Sequence, residues 1–189
     1  MDINWYDLVK FLHVVCAVLW IGSLTGFAIL GIRADTAGDN AEFARIIGYV
    51  LYFAARVFTP ASIILLLLGI TLSAMVWGFT PLWILIGLAG FAATFTTGFF
   101  ILRPRAEKLA ALMSKEGASA AVVAQGREFL TISKFDVVML FVVIADMVFK
   151  PGLGNWLLLL VMVAVLAAAA WFFLLPVFRA SAPAKVKAA

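Results

Sequence analysis

The sequence contains one cysteine, one histidine, six prolines and few charges. Asp, Glu, Lys and Arg together make up 13% of its 189 residues, about half the roughly 25% of a soluble globule. Each scarcity excludes something. A lone Cys16 forbids an intramolecular disulfide. A lone His13 forbids any site that takes two histidines from one chain. No basic stretch precedes the first apolar run, where Asp2 and Asp7 stand instead, and no Ala-x-Ala follows it. That run is therefore expected to stay as a span and not be cleaved as a signal. No Ser/His/Asp set, phosphate loop or paired acidic dyad is present. What fills the chain is apolar: 66% hydrophobic residues and a mean hydropathy of +1.14. No soluble fold of this size could hide that much apolar surface. The composition implies an integral membrane protein whose solvent is the lipid bilayer, with no nucleic-acid partner despite a net charge of +4.

A helical span needs about 20 mostly apolar residues. Five runs qualify or come close: Leu8–Ile32, Val57–Trp77, Pro81–Leu102, the shorter Phe135–Phe149, and Leu153–Phe178. None shows the period-2 alternation of a barrel strand, so the expected fold is an all-α polytopic bundle of about five transmembrane helices. Between spans, Asp39–Ala55 reads as an interfacial or partly embedded helix, and Arg105–Gly126 as a mixed-charge helix pair broken at Gly117. Residues 1–180 form one transmembrane domain in this reading, and 181–189 a disordered basic tail. Lys and Arg fall unevenly. Three segments, Arg33–Arg56, Arg103–Lys134 and the tail after Phe178, hold all but Lys10 and Lys150 of the 14. By the positive-inside rule the C-terminus faces the cytoplasm and the N-terminus lies outside, as in a multi-pass protein of the bacterial inner membrane. Trp5, Tyr6, Trp77, Trp83 and Trp156 then form the outer aromatic belt.

Ionisable groups inside spans are costly and become functional candidates by default. His13 is expected roughly 8 Å below the outer edge at 1.5 Å per residue, either as a ligand or as a histidine hydrogen-bonded between helices. Asp146 and Met147 reach the same depth from the fourth span. Asp146 and Lys150 stand at i, i+4, the spacing of an intrahelical ion pair. A His and a Met at one depth on different helices could be axial ligands of a haem; Met147 is otherwise a core filler. Cys16, one turn from His13, could begin a metal site but has no third member. Trp20, two turns on, would line the same face. Gly22 and Gly26 form a small-xxx-small pair suited to helix packing. Arg56, at the other end, could take a carboxylate, phosphate or propionate, or simply anchor the topology. Arg103, Arg105 and Lys108 read as anchors.

Taken in order, these motifs form a pattern: Phe11-Leu12-His13, Trp20-Ile21-Gly22-Ser23-Leu24, Arg56 with Pro60 and Gly69, and Met147-Val148-Phe149-Lys150-Pro151. The pattern resembles the small bacterial membrane families grouped around the HemJ-type protoporphyrinogen oxidase. It looks closest to a sister family known only as a domain of unknown function, and is more distantly similar to the membrane domain of copper resistance protein D. The resemblance implies haem b as cofactor, with His13 and Lys150 as the residues that matter. Two departures bear on the oxidase activity: a fifth span follows Lys150-Pro151, and an expected Asn-Glu-x-Pro element is replaced by Ser133-Lys134-Phe135-Asp136. Three readings stand at this level. The chain is a haem-binding redox protein with His13 as the metal ligand and Met147, Lys150, Asp146, Arg56 and Trp20 around the cofactor. Or it is a non-enzymatic accessory subunit, binding a membrane partner or a second copy of itself. Or it handles copper or transports a solute.

Overall fold

The computed structural model describes residues 4–181. The tail expected at 181–189 lies, from 182 onward, outside the described residues. Among those described there is no strand; the chain runs as five long helices. We label them α1 (Trp5–Thr36), α2 (Asn40–Trp77), α3 (Leu82–Glu116), α4 (Ala120–Phe149) and α5 (Leu153–Arg179).

Each turn between helices is set by local chemistry. The Asn4 side chain accepts from Tyr6 N at the start of α1, and Asp39 does the same for Glu42 N at the start of α2, the usual way to satisfy orphan amides. Gly38, Gly78 and Gly117 take positive φ at the ends of α1, α2 and α3, a conformation that glycine adopts without a Cβ penalty. Ser119 caps α4.

Prolines leave a readable trace inside the helices. Pro60 and Pro104 remove an N–H from α2 and α3, and each is preceded by a π-helical turn, Ala54–Phe58 and Thr97–Leu102. Widened turns of this kind absorb the lost i→i−4 bond. Side chains take up nearby carbonyls: the Thr59 hydroxyl donates to Ala54 O at 2.9 Å, and an Arg105 N–H donates to Ile101 O at 3.2 Å.

Four helices, α1, α2, α3 and α5, are long and apolar enough to cross a membrane. α4 falls short by composition, because Lys134, Asp136 and Asp146 interrupt its apolar half. It nevertheless runs through the same layer, antiparallel to α3: Gly87 faces Met147 and Gly90 faces Val143. The fold is an all-α polytopic membrane bundle.

The depth of the apolar layer follows from the chain. Arg56 to Trp77, Trp83 to Arg103 and Trp156 to Arg179 each span about 30–35 Å of helix at 1.5 Å per residue, the thickness of a bilayer core. On α1 the arginine-side level is marked by Phe27, whose ring meets Phe53 and Phe58 at 5.1 and 6.4 Å. Beyond this level α1 to α4 continue as a projecting layer. There Asn40–Phe53 corrects the separate interfacial or partly embedded helix expected over Asp39–Ala55. It is the first part of α2, standing upright against α1 and α4. Its apolar residues Phe43, Ile46, Ile47 and Val50 recur with helical period and are all buried, so lying flat in the interface would have left them partly wet. The helix pair expected over Arg105–Gly126 is present and does break at Gly117; both members are extensions of α3 and α4. Arg105–Glu128 and Arg127–Asp35 tie the layer at 3.0 and 2.6 Å.

Candidate functional site

His13 is half-buried on α1 and points at α2. Its Nδ1 lies 3.0 Å from Leu65 O; a carbonyl only accepts, so Nδ1 carries the proton and Nε2 the lone pair. Gly69 makes the approach possible: a Cβ there would stand 3.0 Å from the imidazole Cε1. Cys16 is half-buried one turn away. No group of three or more His, Cys, Asp or Glu that could hold a metal ion occurs among the described residues. Trp20 is buried, with its ring edge-on to Phe91 of α3 at 6.1 Å.

The α4 end is organised around a different neighbour. Asp146 is fully buried, and neither carboxylate oxygen has a hydrogen-bond partner among the described residues. It faces Gly87 of α3, and the Met147 methyl fills the space that a Cβ at Gly87 would need. The expected Asp146–Lys150 ion pair is not formed. α4 stops at Phe149, and Lys150 turns into the left-handed region at φ 47, ψ 56. The cause is next in sequence: Pro151 disfavours helical backbone at the residue before it. Lys150 Nζ instead sits over the indoles of Trp77 and Trp83, 4.6 and 5.2 Å from their centroids. Those two rings meet edge-to-face at 5.7 Å. Read from sequence as belt residues, they are also the seat of a cation.

The expected constellation therefore divides. His13 packs on α2, Asp146 and Met147 on α3, and Lys150 on the α2–α3 turn. No hydrogen bond or ion pair among the described residues joins His13 to the α4 trio. Arg56 is remote from all of them, about 13 Å along α2 from Leu65, with its guanidinium 4.2 Å above the Tyr52 ring. Asp136 was not singled out from sequence, yet it is buried and its Oδ1 has no partner among the described residues. The signal was the same one that marked Asp146: an acid inside an apolar run.

Residues 7–151 match the family described as predicted integral membrane protein (DUF2269). The chain belongs to this family. The DUF2269 match takes in α1 to α4 and the Lys150-Pro151 corner, and leaves the whole of α5 outside it. It agrees with the small membrane family of unknown function that the motifs resembled. No curated protein matches the chain, and no solved structure does.

Proposed function

We propose that this DUF2269 protein is a haem b-binding redox protein of the membrane, with His13 Nε2 as iron ligand. One observation carries the reading, the hydrogen bond from His13 Nδ1 to Leu65 O. A metal-bound imidazole almost always donates its other N–H to a carbonyl or carboxylate, which fixes the tautomer and the ring orientation. Here that outer partner is built into the α1–α2 contact. A bound haem would supply one-electron chemistry; the chain's own part is to hold the imidazole and keep water from it. Met147, Asp146 and Lys150 make their contacts with α3 and the α2–α3 turn and not with His13, so any second residue holding a haem beside His13 would come from a second copy of the chain. In this reading Lys150 fastens α4 to the α2–α3 turn, and the HemJ-type kinship is one of cofactor and fold.

Protein expressed with ample haem should show a Soret band that His13→Ala abolishes and Met147→Leu leaves in place. A wild-type protein without that band sinks the reading.

A second observation favours the accessory-subunit reading. A Cβ at Gly22 or Gly26 would meet nothing within 4 Å, so this small-residue stripe is unused among the described residues and open to another helix. Replacing both glycines by leucine should then release a co-purifying membrane partner while the bundle stays folded; retention of the partner would count against it.

The orientation we propose puts the arginine side in the cytoplasm of a bacterial inner membrane, on the strength of the Lys/Arg asymmetry. A reporter active only in the cytoplasm should give signal at the C-terminus and none in the Gly78–Pro81 turn. The opposite pattern inverts the topology.

A further inference from the structure

At the level where the arginine side of the apolar layer ends, α2 carries a groove of about 530 Å³ lined by Arg45, Gly48, Tyr49, Tyr52 and Phe53. These residues recur at helical spacing on one stripe of α2, and Arg56 continues it one turn later. Gly48 opens the groove: with no side chain it exposes helix backbone, and the nearest neighbour a Cβ would meet is the Met113 methyl at 3.7 Å. Both tyrosines are more than half exposed.

Depth decides what such a groove meets. With Arg56 at the edge of the hydrocarbon, Tyr52 lies about 6 Å and Tyr49 about 10 Å beyond it, in or beside a headgroup layer about 5–8 Å thick. Arg45 stands further out, and its long side chain can reach back. No carboxylate among the described residues lines the groove. Arg56 has no acidic partner among the described residues and rests on Tyr52. Arg45 commits one nitrogen to Glu42 at 2.7 Å, which leaves donors on the rest of its fork. The surface is thus cationic at both ends and aromatic between them.

We propose that this groove seats one anionic phospholipid. The Arg56 guanidinium, drawn out over Tyr52, takes the phosphodiester, Tyr49 and Arg45 the polar headgroup beyond it, and Phe53 the first acyl carbons. A bilayer lipid fits better than a free anion because the walls between the arginines are apolar.

The test is lipid retention by the full-length protein, counted by native mass spectrometry from micelles doped with phosphatidylglycerol or phosphatidylcholine. Wild type should retain phosphatidylglycerol preferentially. Arg56→Gln and Arg45→Gln should each lower that preference about fivefold, the worth of one basic side chain at an anionic surface. Gly48→Val, which fills the groove without touching charge, should lower retention of both lipids, whereas Arg103→Gln, outside the groove, should change neither. Equal losses from Arg103→Gln and Arg56→Gln would mean a diffuse positive field and overturn the site. Unchanged retention in Gly48→Val would empty the groove of lipid. Displacement of the preference by inorganic phosphate would replace the lipid with a free anion.

Discussion

Leu109 and Leu160 are the same residue in two different solvents. Leu109, on the part of α3 that projects past Arg103, is 1% exposed; Leu160, on α5 within the apolar layer, is 60% exposed. The contrast holds for the regions around them. In the projecting layer, apolar side chains such as Phe43, Ile47 and Val122 are turned inward almost completely while charges face out, as water demands. In the membrane layer the helices turn much of their apolar surface outward, because lipid is as apolar as leucine and burial gains little there. One chain thus contains a water-type helical core set directly on lipid-type spans, with continuous helices crossing the boundary.

The contrast can be broken most sharply by truncation. Leu109→Ala should cost about 2–5 kcal/mol, whereas Leu160→Ala should stay within about 0.5 kcal/mol, both read as unfolding midpoints in one detergent. Similar losses would mean that the projecting layer is not a water-excluding core. A smaller effect separates the glycines. Gly126→Ala brings a Cβ to 2.6 Å from the Phe43 ring and should cost about 1–3 kcal/mol, while Gly22→Ala, with open space around it, should be neutral or slightly stabilising.

How much of this was legible depended on which rule governed each region. Spans were legible because a bilayer asks only for length and apolarity. Asn40–Phe53 was misplaced because polar residues at its start and Arg56 at its end made it look separate from the span it begins. Its buried face was nevertheless there to be read in the spacing of Phe43, Ile46, Ile47 and Val50. At the candidate site, His13 was found by scarcity, but its Leu65 partner is a backbone carbonyl and leaves no mark in sequence. The Asp146–Lys150 pairing failed for a reason that was visible: an i, i+4 rule applies only inside a helix, and Pro151 announces the end of one.

Two acids sharpen the comparison further. Asp146, buried without a partner among the α3–α4 contacts, should destabilise the bundle, so Asp146→Asn should raise stability by about 1–2 kcal/mol. A drop would reveal a partner for the carboxylate. Asp35, half-open in the projecting layer and paired with Arg127, should behave oppositely. Asp35→Asn should cost at most about 1 kcal/mol, and less as salt is added. Salt-independence would remove the ion pair as its cause.

The composition of α4 also bears on how the protein is made. A segment with an apolar half this short, carrying two acids that each oppose entry by up to about 3 kcal/mol near a helix centre, is a poor client for the insertion machinery on its own. α3 is a good one, and it precedes α4 directly, joined through the tight corner at Gly117. The two helices are therefore expected to enter as a hairpin, with Gly87 and Gly90 of α3 already offering the surface onto which α4 closes. α5 then arrives as an independent, strongly apolar segment. In biogenesis the chain would pass its most demanding step at the helix that holds Asp146, and it would do so with a chaperone encoded in its own preceding span.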